Sequence, residues 1–128
     1  MHLELITLLI DDYDTAIDYF VNALGFELVE DSPATSSSGD AKRWVVVRPA
    51  NGVTGFLLAR ADGAAQIERV GNQVGDRVGF FLRVDDFEAA YARLKAAGGE
   101  FLGEPRREAY GTVVVFRDLF GNRWDLLG

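Results

Sequence analysis

The strongest constraint in this chain is an eight-residue pattern that occurs twice. Ile10-Asp11-Asp12-Tyr13-Asp14-Thr15-Ala16-Ile17 aligns without a gap on Val84-Asp85-Asp86-Phe87-Glu88-Ala89-Ala90-Tyr91, at a constant offset of 74. Each copy is an apolar run that stops at an acidic pair and resumes with apolar residues at helical spacing, which reads as a strand followed by a helix. The first copy predicts a buried strand over 2–10 (HLELITLLI), with Asp11 as helix cap and Asp14 well placed in the first turn. Tyr13, Ile17, Phe20, Val21 and Leu24 then share one helix face, and Gly25 ends the helix. The second copy predicts a strand over 77–84 and a helix running to Gly98, with Phe87, Tyr91 and Leu94 at the matching places.

Further strands are predicted over 26–30, 42–48 and 53–60, separated by a polar surface loop at 31–40 (DSPATSSSGD) and a turn at 49–52. Downstream in the second copy, Phe101 answers Phe26, the run 112–116 (TVVVF) answers 44–47, and 123–127 answers 55–59. The chain therefore reads as two βαβββ units of about 60 residues. They cover 1–62 and 76–128, with a linker over 63–75 whose glycine-rich part runs from Val70 to Gly75. One unit cannot bury its sheet alone, so the halves are expected to pack into a single domain over 1–128. The fold class is α+β.

Composition removes several chemistries. One histidine and no cysteine in 128 residues exclude a disulfide framework, a thiolate nucleophile, a cysteine-based zinc site and any site needing two histidines from one chain. Twenty acidic against 13 basic residues, a net charge of -7, leave no basic stripe for nucleic acid. No apolar run approaches the roughly 18 residues of a membrane span, and no basic segment with an apolar follow-on marks a leader, so a soluble cytoplasmic protein is expected. The run Val70-Gly71-Asn72-Gln73-Val74-Gly75 does not sit between a strand and a helix and is not a phosphate cradle. Asp11, Asp12, Asp85 and Asp86 lie at strand-to-helix junctions and read as caps, and Glu104, Arg106, Arg107 and Glu108 read as a solvated mixed-charge turn.

Three segments together carry a resemblance: ITLLIDDYDTAIDYFVNALGFELVED, VGFFLRVDDFEAAYARLKAAGGEFL and the closing YGTVVVFRDLFGNRWDLL. In this order they resemble the vicinal oxygen chelate superfamily, the glyoxalase, bleomycin-resistance and extradiol dioxygenase group, over the whole chain. Leu119 stands where the family's turn usually has proline. The resemblance implies two βαβββ units forming a curved mixed-sheet cup with helices packed outside, and it implies a homodimer. In metal-dependent members, ligands come from the inward faces of the first and fourth strands of each half. Those places fall here on Leu5, Leu57, Gly79 and Asp125, of which only Asp125 can bind a cation. No metal and no cofactor are therefore expected. His2 lies on the opposite strand face from Leu5 and at a terminus, so it does not restore the site.

Alternation along strands names the expected lining: Leu5, Thr7 and Leu9; Leu57 and Ala59; Gly79, Phe81 and Arg83; and Arg123 with Asp125. Such a surface suits a small-molecule site, and its aliphatic members suit a filled core equally well. Asp125 in apolar surroundings would have a raised pKa and accept a proton or hold a ligand amine, unless it pairs with Arg83 or Arg123. Tyr110, before the strand 112–116, is either a second catalytic candidate or a half-buried packing residue. Trp44 either stacks on a ligand or covers the sheet. A glycine at position 79 marks a close approach by ligand or backbone. Two functions follow. One is a metal-free binder of a small hydrophobic or cationic compound, resembling bleomycin-resistance sequestration. The other is a lyase or isomerase of glyoxalase type using Asp125 or Tyr110 for proton transfer, with metal-dependent catalysis third.

Overall fold

Asp12 and Asp86, the second acid of each repeated pair, set where the helices begin. In the computed structural model, which describes residues 1–35 and 41–128, Asp12 is extended (φ -145°, ψ 126°) and its carboxylate accepts from Thr15 N at 2.8 Å and Thr15 Oγ1 at 2.7 Å. Asp86 accepts from Ala89 N at 3.0 Å. Both satisfy a helix-start N–H that has no intrahelical partner. The cap of the first helix is thus Asp12 and not Asp11, because Asp12 is three residues before the free N–H it must reach.

The chain divides into two compact units, Met1–Arg69 and Val70–Gly128. The first holds β1 (Leu5–Ile10), α1 (Tyr13–Asp18) with a π-helical continuation (Tyr19–Ala23), β2 (Phe26–Thr35), β3 (Ala41–Pro49), β4 (Gly55–Arg60) and the short α2 (Ala64–Ile67). The second holds β5 (Val78–Arg83), α3 (Phe87–Ala96), β6 (Glu100–Phe101), β7 (Arg106–Glu108), β8 (Gly111–Arg117) and β9 (Arg123–Leu127). Strand order is β1-β4-β3-β2 in one sheet and β5-β9-β8-β6 in the other, where β7 also pairs with β8. In each sheet the outer pair, β1 with β4 and β5 with β9, is parallel and the remaining pairs are antiparallel. This is the expected mixed α+β architecture. Among the described residues no helix is long and apolar enough to cross a membrane.

One face of each sheet lies under its helix. In the first unit Leu8, Ile10, Val45, Val47, Phe56 and Leu58 are buried there, and Phe20 meets Phe26 and Phe56 at ring distances of 5.3 and 6.0 Å. In the second, Leu82, Val114, Phe116, Trp124 and Leu126 are buried with Phe87, Ala90 and Leu94 of α3. Each of the Val, Leu, Ile and Phe side chains among them contributes about 1.5–3 kcal/mol through burial. Helix ends follow from Gly25 and Gly98, whose φ values of 76° and 81° suit a residue without Cβ.

The polar stretch expected to be a loop at 31–40 is, over Asp31–Thr35, the second half of β2. A bulge between Leu28 and Glu30 shifts the register, after which Asp31 to Thr35 pair with Val45 to Ala41. Arg43 binds Asp31 with its guanidinium fork at 3.0 and 2.7 Å, so polar side chains hold this edge strand without an apolar alternation. The rest of the expected loop, 36–40, lies outside the described residues. Two other expectations need correcting. Residues 106–108 form β7 rather than a free turn, and β1 starts at Leu5 rather than at His2. His2 is exposed and contacts Glu4 at 2.7 Å.

Candidate functional site

Strand pairing shows which residues share the sheet face opposite each helix. In the first unit Thr7 pairs with Leu57, Leu57 with Val46, and Val46 with Glu30. In the second, Phe81 pairs with Asp125 and Asp125 with Val115. The two rows occupy equivalent places, since Thr7 and Phe81 differ by 74 and each pairs with the corresponding residue of the last strand. Leu5 and Leu9 join the first row by alternation, as do Ala59 and, on β3, Trp44 and Arg48. Leu5, Leu9, Leu57 and Ala59 are half-buried, Thr7 is exposed, and Trp44 is 42% exposed. Phe81 is 65% exposed and Arg83 exposed, beside the half-buried Asp125 and Arg123.

Asp125 is the chemically distinctive group. Its Oδ1 is buried without a hydrogen-bond partner, and burial raises its pKa above the ordinary carboxylate value, an effect that the positive charge of Arg106 partly offsets. The expected alternative, an ion pair with Arg83 or Arg123, is not formed: Arg123 Nη1 donates instead to the Asp76 carbonyl oxygen. Arg106 reaches this environment from β7, where it pairs with Val113, and also lies 3.6 Å from Glu108.

Tyr110 does not join Asp125. Glu108 and Gly111 close a hairpin whose tip is Ala109 and Tyr110, and the strand rise puts Tyr110 about 17 Å along β8 from Val115, the residue opposite Asp125. At 58% exposed it is not a half-buried packing residue either. Gly79 also departs from expectation. A Cβ there would come within 2.6 Å of Val74 Cγ2, so a side chain fills the space that a ligand or backbone was expected to occupy. Pairing slips by one residue between Val78 and Phe80, so the offset of 74 that matches Ile6 with Phe80 fails at Gly79.

The four places that the family resemblance assigns to metal ligands therefore hold Leu5, Leu57, Asp125 and a glycine covered by Val74. Divalent ions of this class need three or four nitrogen or oxygen donors, and this set offers one carboxylate. The residues do not fit such an ion. Among the described residues no group of three or more His, Cys, Asp or Glu is placed to hold a metal. A small polar cleft lined by Ala41, Lys42, Arg60, Ala61 and Asp62 encloses about 170 Å³, below the roughly 300 Å³ at which small-molecule pockets begin.

Two residues near these faces were not anticipated as site members. Arg48 was legible in principle, because it continues the Trp44, Val46 alternation on β3. Arg106 was not, because a three-residue strand has too little pattern to recognise.

A model of the Glyoxalase/Bleomycin resistance protein/Dioxygenase superfamily matches residues 2–126, and the chain belongs to that family. It is 50% identical over 124 residues to an uncharacterized protein of Shewanella frigidimarina (strain NCIMB 400), covering 95% of this chain and 89% of that protein. Among solved structures it is similar to UcmS2, with 28% identity and a TM-score of 0.78 over 99% of this chain and 97% of the other. It is also similar to TnmS3, an antibiotic binding protein from Streptomyces sp. CB03234, with 28% identity and a TM-score of 0.75 over 99% and 94% of the two chains.

Proposed function

We propose that the chain is a metal-free binder of a small, partly aromatic compound carrying an amine or other hydrogen-bond donor. Asp125 is the polar contact and Phe81 the stacking surface beside it. The observation that carries this reading is Asp125 itself, a partly buried carboxylate with an unpartnered oxygen next to an aromatic ring that is largely exposed. Leaving an acceptor unpaired costs about 1–3 kcal/mol, which a ligand donor can recover. The likeness to TnmS3, an antibiotic binding protein, supports small-molecule binding as the function class. The ligand-poor set at 5, 57, 79 and 125 supports binding without a metal.

Thermal-shift screening with aromatic amines tests this reading. Binders are expected to raise the melting temperature of the wild type and to lose most of that rise in Asp125→Asn, without turnover in either. A ligand-independent response to stoichiometric Ni, Zn, Mn or Fe, retained at near one ion per chain, would defeat it. The raised pKa also suits proton transfer by Asp125, a lyase or isomerase reading without Tyr110. Product formation that vanishes in Asp125→Asn would favour that second reading.

A further inference from the structure

The duplication places the same cross-strand pair in both units, and only one of the two is joined. Arg117 on β8 pairs in register with Glu100 and bonds it at 2.8 Å. The equivalent residues of the first unit, by the pairings of Val46 with Leu57 and Val115 with Asp125, are Arg48 and Glu27. They are register partners as well, yet make no ion pair. Arg48 Nε is instead buried without a hydrogen-bond partner, whereas Arg43, Arg60 and Arg123 each bond an acceptor. A buried N–H on a charged group is costly to leave unmade.

Arg48 shares its face with Val46 and Trp44, four residues away or about 13 Å along the strand. Val46 is buried between them and the Trp44 indole is partly exposed. The strip thus offers a guanidinium and an aromatic surface in line, with the buried Val46 packed between them. We propose that Arg48 binds the carboxylate of a flat aromatic acid whose ring runs toward the exposed part of Trp44; this rests on the face opposite the helix being a ligand surface. A carboxylate matches the guanidinium bidentately, and a small tilt of the side chain exposes the Nε edge to it. Glu27 and Glu30 lie on the same face and repel any added negative charge, so Arg48 has to outweigh them and a monoanion is favoured over a dianion. The overall charge of -7 slows approach but is screened beyond roughly 8 Å, whereas the direct contact is not.

The test titrates the full chain with 2-naphthoate, the neutral 2-naphthamide and 2-naphthylmethylammonium. It follows Trp fluorescence and the NMR signal of Arg48 Nε–H. Naphthoate is expected to bind at least about 10-fold more tightly than naphthamide and to shift the Arg48 signal. Arg48→Gln should remove that preference, Arg48→Lys should keep part of it, and Glu27→Gln should strengthen it. Melting curves confirm that the variants are folded. Equal affinity for acid and amide, or a preference that survives in Arg48→Gln, overturns the proposal. If naphthoate shows no Arg48-dependent preference while the ammonium probe binds and depends on Asp125, the role of Arg48 falls while the binding function stands. Absence of binding by all three probes overturns both.

Discussion

The two units agree on one sheet face and disagree on the other. Under the helices, the row Val45, Leu58, Leu8 is answered by Val114, Leu126, Leu82, all aliphatic and buried. On the opposite faces the neighbouring row Val46, Leu57, Thr7 is answered by Val115, Asp125, Phe81. A duplicated unit must bury its helix in the same way each time, because cavities and overpacking both cost stability. Nothing in the unit's own packing imposes that demand on the other face. The divergence therefore marks where the halves took on different chemistry, and it singles out Asp125 and Phe81 in one unit; Arg48 keeps the residue type of its counterpart Arg117 and differs from it only in lacking the ion pair.

The largest expected asymmetry lies in the last turn of each unit. Between β8 and β9 the buried Asp118 carboxylate accepts from the backbone N–H of Phe120, Gly121 and Asn122 at 3.0, 2.9 and 2.9 Å. It also accepts from Asn122 Nδ2 at 3.1 Å and Trp124 Nε1 at 2.9 Å. The turn between β3 and β4 relies on Gly52 N bonding Pro49 O at 2.9 Å and on Asn51 at φ 62°. Asp118→Ala strands several buried donors and should cost on the order of 3–5 kcal/mol. Asn51→Ala should cost about 1 kcal/mol, the strain of Ala in that conformation. Urea unfolding followed by Trp fluorescence gives both numbers, and similar costs would remove the asymmetry.

The repeat at offset 74 made the paired βαβββ order, the sheet class and the helix-covered core legible, because strand and helix periods differ and the acidic pairs punctuate them. What escaped has a common physical cause: irregularity of backbone or of burial. The bulge near Val29 lets polar residues continue β2, so the composition of Asp31–Thr35 looked like a loop. The slip at Val78 breaks the offset where Gly79 was read as a ligand-facing gap, and Val74 fills that space from a segment with no periodic signal. Asp125 was placed by alternation alone. Its lack of a partner depends on Arg123 turning to Asp76, which no pattern in one dimension reveals. Arg48 was missed although its alternation was visible, because an arginine on a strand ordinarily reads as a solvated or paired residue.

The helix starts should respond alike in the two units. Asp12→Ala and Asp86→Ala are each expected to cost about 1 kcal/mol, the usual effect of losing an N-cap. The neighbours Asp11 and Asp85 are exposed, and their alanine variants should stay within about 0.5 kcal/mol. Hydrogen bonds from Thr15 hold the Asp12 carboxyl below the ordinary value, so its contribution is present above that value and lost as pH falls through the lowered one. Thermal melts of the four variants at neutral pH check the equivalence. A larger loss from Asp11→Ala than from Asp12→Ala would break it.

The smallest expected effect is also the most specific to the divergent face. Burial raises the pKa of Asp125, so the folded chain binds this proton more tightly than the unfolded chain does. Stability then falls as pH rises, starting from the unfolded-state value near 4 and continuing through the raised folded-state value. Above that raised value the ionised group is a net burden. Asp125→Asn should therefore melt slightly higher than the wild type at pH 7, with the gain shrinking to nothing as pH approaches about 4. The equivalent Leu57→Asn adds a polar group to an apolar row and should lower stability at every pH. Melting temperatures of the two variants across pH 4 to 8 separate the cases. If Asp125→Asn is instead less stable at pH 7 and the gap closes on acidification, the carboxylate is held ionised by Arg106. The two faces would then differ by an ion pair rather than by a group left open for a ligand.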